Sequence, residues 1–191
     1  GDIRIVDLNQ DGMINEEDKT IIGNAISKFF YGFNLNFSRK RLTASLNFNG
    51  KYGNDILNYN LIYGRDAIDG SNNLFAKTLE RWTPETPHTD IPRPTLNPET
   101  RITDRLIEDG SHLRLADASV TYSFQSVNLG KTSIKNVKVY VKGQNLLLFT
   151  KYSGYDPDVL SFGSLPFTTL PIDRGAYPRS RSVILGVDFT L

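Results

Sequence analysis

The chain contains no cysteine. That absence removes a disulfide framework, a cysteine-ligated zinc centre and a thiol nucleophile together. Histidine is scarce as well. His88 and His112 have no second histidine at metal-ligand spacing, and both are expected on surface loops. An excess of one charge is missing too: 22 basic and 21 acidic residues leave a formal net charge of +1. No strong field steers the chain toward nucleic acid, and no nucleic-acid partner is expected. The longest wholly apolar run, Leu146 to Phe149, falls far short of the roughly eighteen residues of a membrane-spanning helix. The opening GDIRIVDL has no basic region followed by an apolar stretch, so no signal peptide is expected, and an exported protein would contain this chain as a part. Nucleophile-elbow, zinc and phosphate-loop motifs are also missing, so an enzyme is not expected.

What the chain has is alternation. Between Lys28 and Ser38, Phe29, Tyr31, Phe33, Leu35 and Phe37 occupy one parity, while Gly32, Asn34, Asn36 and Ser38 fall on the other. A period of two over this length makes a strand with one greasy, aromatic face and one small, polar face. After Arg39 to Arg41 the pattern resumes, with Leu42, Ala44, Leu46 and Phe48 opposite Thr43, Ser45, Asn47 and Asn49, which predicts an antiparallel hairpin. A third strand is expected from Leu113 to Phe124, with Ala116, Ala118, Val120, Tyr122 and Phe124 on one face. A fourth runs from Val137 to Thr150, its second half apolar at both parities. The fifth is Ser182 to Leu191, where Val183, Leu185, Val187, Phe189 and Leu191 alternate with Ser182, Ile184, Gly186, Asp188 and Thr190.

Strands of about ten to fourteen residues exceed the usual soluble length of about five or six and suit a tilted bilayer crossing, which takes about nine to eleven. Their polar faces carry Asn, Ser, Thr, Lys and Gln, and aromatics gather toward the strand ends as in interfacial girdles. Connections alternate in length. Arg39 to Arg41 is minimal and Gln125 to Asn136 moderate, whereas Tyr52 to Ser111 and Tyr152 to Ser180 are long. In outer-membrane barrels the short turns face the periplasm and the long loops face outside. The pattern therefore predicts an all-β chain, a transmembrane antiparallel β-barrel segment with long extracellular loops. The competing reading is a soluble calcium-containing β-sandwich that binds carbohydrate. Five strands cannot close a membrane barrel, which needs at least about eight.

Within the longest loop, Leu74, Phe75, Leu79 and Trp82 recur at helical spacing and predict a short surface helix over Asn72 to Trp82. Five prolines between Pro84 and Pro98 then exclude regular ladders. In the opening segment, residues 1–27, the spacing D-x-N-x-D-G-x-I-x-x-x-D runs from Asp7 to Asp18. An EF-hand-type loop takes side-chain oxygens at its first, third and fifth positions, a glycine at the sixth, a backbone carbonyl at the seventh and a carboxylate at the twelfth. Here those are Asp7, Asn9, Asp11, Gly12, the carbonyl of Met13, and Asp18, with Ile14 as the loop's anchor and Asn15 able to act through water. Hard oxygen donors suit Ca²⁺. A metal-free turn rich in Asx residues is the other reading. No amphipathic helix precedes Asp7 and only Glu16 to Ile22 has room for one afterwards, so the motif predicts an extracellular surface clip rather than a sensor.

Taken together, DLNQDGMINEEDKTIIGN, KFFYGFNLNFS, YGNDILN, RWTPETPHTDIPR, IEDGSHLRLADASVTYSF, KNVKVYVKGQNLLLFTKYSGYDPDV and SVILGVDFTL resemble the C-terminal part of SusC/RagA-type TonB-dependent outer-membrane transporters of the Bacteroidota. The resemblance implies that residues 28–191 supply the last five strands of a plugged barrel of about twenty-two. It further implies TonB-energised import of glycan or peptide fragments beneath a SusD-like surface lipoprotein, with the plug and TonB-contacting segment N-terminal to Gly1. Such barrels tend to end on an aromatic residue, whereas this chain ends Phe189-Thr190-Leu191. Trp82, Tyr152 and Tyr155 are candidates for stacking on cargo sugars, with loop packing or a lipid girdle as the other reading.

Overall fold

A computed structural model describes residues 1–129, 132–159 and 171–190. Leu191 and the middle of the loop from Gly154 to Arg179 lie outside the described residues. The described chain is mostly strand: β1 Phe29–Arg39, β2 Leu42–Tyr52, β3 Asp55–Asn58, β4 Ile107–Asp109, β5 His112–Leu129, β6 Thr132–Thr150, β7 Ile172–Asp173 and β8 Ser182–Thr190. No helix among the described residues is long and apolar enough to cross a membrane, which says nothing about strands. Two compact units divide the chain. One comprises Gly1–Ala25, Asp55–Asp109 and Asp158–Ala176; the other comprises Ile26–Asn54, Gly110–Pro157 and Tyr177–Leu191.

The second unit holds an antiparallel sheet in the order β1-β2-β5-β6-β8. Its register turns the alternation of single strands into continuous rows, because directly paired residues point to the same face. Phe37, Ala44, Val120, Val141 and Leu185 pair in sequence across the sheet, and so do Leu35, Leu46, Ala118, Gly143 and Val183. The row between them carries Asn36, Ser45, Ser119, Lys142 and Ile184, and the next one beyond carries Asn34, Asn47, Asp117, Gln144 and Ser182. On this polar face Ser45 and Ser119 share a hydrogen bond of 2.8 Å. Among the described residues nothing covers the apolar face: Val120 is 49% exposed and Leu185 77% exposed. A soluble sandwich buries that face against a second sheet, so the sandwich reading does not fit this arrangement.

The β5–β6 pair departs from strict alternation at a bulge. Leu115 pairs with both Phe48 and Leu147, while Asp117 pairs with Asn47 and Gln144, so Ala116 is an extra residue on β5. Asn145 and Leu146 are the matching excess on β6, with Asn145 at a positive φ of 51°. The single insertion on β5 reverses the parity of the residues beyond it, so Leu113 and Leu115 join the apolar face. On β6 the two-residue excess leaves the parity unchanged, and Leu147 and Phe149 stay on the face of Val139 and Val141. Ala116 itself does not continue the row of Ala118 and Val120 as its sequence position suggests.

Four further expectations change. The moderate loop expected from Gln125 to Asn136 is instead paired strand, closing at Leu129 and Thr132. The apolar parity switches between Phe124 and Val127, which hides the strand from a period-two reading. The helix expected over Asn72 to Trp82 is a 3₁₀ turn, Ala76–Glu80, without a side-chain cap. It buries Thr78 while Leu74, Phe75 and Leu79 stay exposed, because extended backbone at Arg81 ends it before an apolar stripe forms. Likewise Glu16 to Ile22 yields a 3₁₀ turn over Glu16–Asp18, and Lys19 is already extended. His112, expected on a surface loop, is buried at the start of β5 with Nδ1 3.2 Å from the Gly110 carbonyl.

The first unit packs a small sheet, ordered β4-β3-β7, with β3 and β7 parallel. Leu61, Ile62, Ala67 and Leu106 form its apolar core. Asp66, buried beside that core, receives a bidentate ion pair from Arg65 at 2.6 and 2.8 Å and a further contact from Arg105 at 3.3 Å. Two guanidiniums on one carboxylate supply the pairing that a buried charge requires.

Candidate functional site

The acidic loop is built on side-chain acceptors. Asp7 takes the N–H groups of Gln10 (2.7 Å) and Gly12 (2.8 Å), one on each carboxylate oxygen. Asn9 accepts from the Asp11 N–H, and Asp11 accepts from the Met13 N–H. Asp18 closes the loop, receiving Leu8 N–H on one oxygen and Asn15 N–H on the other, both at 2.8 Å. These two bonds hold the Asp18 carboxyl below the usual aspartate range, Asn15 contributing most. Gln10 and Gly12 take positive φ, 63° and 83°, which gives the sharp reversal its glycine. Asp7, Asn9, Asp11 and Asp18 thus fold around one short turn. Each carboxylate oxygen keeps a second lone pair for a cation. Among the described residues, no group of three His, Cys, Asp or Glu side chains makes up a metal centre, so a cation here would need the Asn9 and Met13 oxygens as well.

The three aromatic candidates fall into separate settings. Trp82, in the first unit, is half-buried with its indole over Gly1, and its backbone N–H donates to the Ile91 carbonyl at 2.9 Å. Arg93 fastens the same end of the chain by a bidentate pair with Asp2 at 2.7 and 2.9 Å. A cavity of about 340 Å³ opens beside Trp82 between the N-terminal residues and the proline-rich segment. In the second unit, Tyr155 is 78% exposed, whereas Tyr152 is 6% exposed with its ring against Gly154. Tyr152 here packs instead of offering a face. Close by in that unit, Arg114 and Asp156 form a buried ion pair of 2.6 Å that fixes the Tyr155-Asp156 segment to β5.

A further aromatic cluster stands at the end of β3. Tyr59 and Tyr63 have ring centroids 5.9 Å apart, and the Arg174 guanidinium lies over the Tyr59 ring at 4.6 Å. Hydrogen bonding with Tyr59 pushes the Tyr63 hydroxyl up from its ordinary value, and Arg174 opposes that shift. Phe75 closes against Gly64, where an added Cβ would sit 2.5 Å from its ring. The cavity between these groups measures about 390 Å³. Sequence reasoning passed over this cluster because its members are separated by up to a hundred or so positions. The only local signal was Tyr59-Asn60-x-x-Tyr63, two aromatics four residues apart.

No family model matches the sequence. Over 95% of its length the chain is 37% identical to a TonB-dependent receptor of Formosa agariphila, and over its full length 32% identical to a second TonB-dependent receptor of that organism. The two alignments span 18% and 20% of those relatives. The chain belongs to the TonB-dependent receptors. A stretch covering 45% of the chain and 8% of its relative is 37% identical to the TonB-dependent receptor SusC of Bacteroides thetaiotaomicron. The solved RagAB peptide transporter matches with a TM-score of 0.74 at 27% identity, over 92% of this chain and 19% of that one. The RagAB peptide importer in its open-open state gives 0.75 at 26% identity, over 94% and 19%. The chain therefore spans about a fifth of the curated relatives it matches over nearly its whole length. Its place is the bacterial outer membrane, and its relatives are receptors and transporters, not enzymes.

Proposed function

We propose that the five-stranded sheet forms the last strands of a plugged outer-membrane barrel of about twenty-two. The whole receptor, on this reading, imports glycan or peptide fragments, energised by the TonB complex and working beneath a SusD-like surface lipoprotein. One observation carries it: the rows Phe37-Ala44-Val120-Val141-Leu185 and Leu35-Leu46-Ala118-Gly143-Val183 run unbroken across the sheet, uncovered among the described residues, and the rows alternating with them are polar apart from Ile184. Lipid satisfies the first kind of row and a water-filled interior the second. Asn34, Asn36, Asn47 and Asn49 then line water. The tight turn at Lys40-Arg41 faces the periplasm, and both long connections reach the outside, where the lipoprotein and cargo meet the receptor.

At residues 1–27, we propose that the acidic loop clips a calcium ion on the extracellular rim. Asp7, Asn9, Asp11, the Met13 carbonyl and Asp18 would hold it, and the ion would lock the loop that the carboxylates already organise. Trp82 and Tyr155 are proposed as stacking positions for cargo. Tyr152, also a candidate from sequence, would serve that role only if its ring left Gly154.

The test is uptake by a strain lacking the receptor and complemented with the full-length gene. Import of labelled oligosaccharides or peptides is expected to require both the gene and a working TonB system. Uptake that persists when TonB is inactivated refutes the reading.

A further inference from the structure

The cavity at the end of β3 has the chemistry of a saccharide site. Its position is fixed by the small sheet. β7 pairs in parallel with β3, and the Tyr59 N–H extends that ladder to the Asp173 carbonyl at 2.9 Å. Asp173, buried, also accepts the N–H groups of Gly175 and Ala176 at 2.9 and 3.0 Å. The turn carrying Arg174 is therefore held against Tyr59, and the guanidinium rests on that ring before any ligand arrives. Opposite, the π-helical turn Ile62–Asp66 buries Ile62, Gly64 and Asp66 and sends Tyr63 outward. The Phe75 N–H donates to the Gly64 carbonyl at 2.8 Å, which seats Phe75 beside Tyr63.

Two aromatic rings are thus fixed in backbone yet remain open, Tyr63 at 46% and Phe75 at 47% exposure. The amides of Asn60 and Asn72 stand on the same rim. A pyranose offers an apolar C–H face to such rings and hydroxyls to such amides. A peptide would use the same arginine for a carboxylate and the same rings for a proline-rich turn, so what favours a sugar is the two open rings standing beside two amides. Among the described residues the walls carry one full charge, that of Arg174, and no carboxylate.

Building on the importer reading above, we propose that this cavity binds an acidic oligosaccharide, one bearing a uronate carboxylate or a sulfate ester. Tyr63 and Phe75 pack on its sugar faces, and the N–H edge of Arg174 meets its anionic group. A planar guanidinium matches either oxyanion in bidentate fashion.

The experiment uses the full-length receptor in detergent on an array of uronate oligosaccharides, their carboxyl-reduced forms, sulfated oligosaccharides, their desulfated forms, neutral oligosaccharides and short peptides. At least one acidic glycan is expected to bind more tightly than its reduced or desulfated counterpart. Arg174→Gln should remove about tenfold or more of that preference, the scale of one charge-assisted hydrogen bond. Tyr63→Ala should weaken acidic and neutral partners alike, and Phe75→Ala, at an exposed position, serves as the variant least able to disturb folding. The uronate and sulfate arms tell which anion is used. Preference for neutral glycans or for peptides, or an acidic preference unchanged by Arg174→Gln, overturns the proposal. TonB-dependent uptake of peptides alone would sink the saccharide assignment and leave the importer reading standing, whereas absence of any TonB-dependent uptake would remove the importer reading itself.

Discussion

Adjacent residues at the middle of β1 give the sharpest test of which face meets lipid. Leu35 pairs with Leu46 in an uncovered apolar row, while Asn34 pairs with Asn47 in a polar one. They are one position apart, so strand propensity, depth in the bilayer and neighbours along the chain are nearly matched, and only the face differs. An arginine at the midplane on the lipid side of a β-barrel costs about 2–4 kcal/mol, and far less toward a watery interior. Leu35→Arg is therefore expected to lower the folding equilibrium by about 30- to 1,000-fold, at about 1.4 kcal/mol per factor of ten. Asn34→Arg should change it by less than about threefold, within 0.5 kcal/mol. Folding of the full-length receptor into lipid vesicles across a urea series measures both equilibria, and heat-modifiable migration of outer-membrane fractions reads the same contrast in cells. Equal losses from the two variants, or a larger loss from Asn34→Arg, would show that the apolar rows do not face hydrocarbon.

Calcium titration of the full-length receptor is expected to show one site that Asp7→Ala and Asp11→Ala each abolish; binding unaltered in both variants would remove the metal from the acidic loop. The folded Asp18 carboxyl titrates below the unfolded one, so its contribution to loop order is complete above the usual aspartate value and disappears as pH falls through the lower, folded value. The protection of the Leu8 amide, its exchange rate relative to the intrinsic rate at each pH, should accordingly be lost only in strongly acidic solution, and a loss already near neutral pH would contradict the assignment. Replacing Arg114 with Met leaves Asp156 buried without its guanidinium partner, at a cost of about 3–5 kcal/mol; an unchanged urea midpoint would show that the pair does not anchor the Tyr155-Asp156 segment. At Gly50 an added Cβ meets the His112 carbonyl at 2.3 Å and the Tyr31 ring at 2.7 Å, so Gly50→Ala should destabilise by about 1–3 kcal/mol in the same urea series.

The strands were legible because a half-wet sheet imposes a period of two on single residues. Phe29 to Phe37 and Val183 to Phe189 announce their faces without any knowledge of their partners. The turn of the acidic loop was readable as well, since its side-chain acceptors lie within twelve positions and its reversal needs a glycine at one of them. Reading failed where a strand breaks its own period. Ala116 is one residue too many, and nothing in Leu113 to Ala118 marks it as the extra one; the bulge is set by pairing with β2 and β6. The paired stretch beyond Phe124 was missed for a related reason, as its apolar residues change parity. The helical spacing of Leu74, Phe75 and Leu79 misled because an apolar stripe makes a helix only where a surface waits to bury it.

By itself the sequence determined which residues each regular stretch of strand gives to its greasy and polar faces, and that Asp7 to Asp18 makes a turn with a glycine at its reversal, because both follow from spacings of a few residues. Only the tertiary structure decided that the greasy faces align into continuous rows, that Tyr152 is buried while Tyr155 is free, and that Tyr59, Tyr63, Phe75 and Arg174 share one cavity. Those outcomes depend on register and on the parallel β3–β7 pairing, which join positions more than a hundred residues apart through backbone hydrogen bonds that no local pattern encodes.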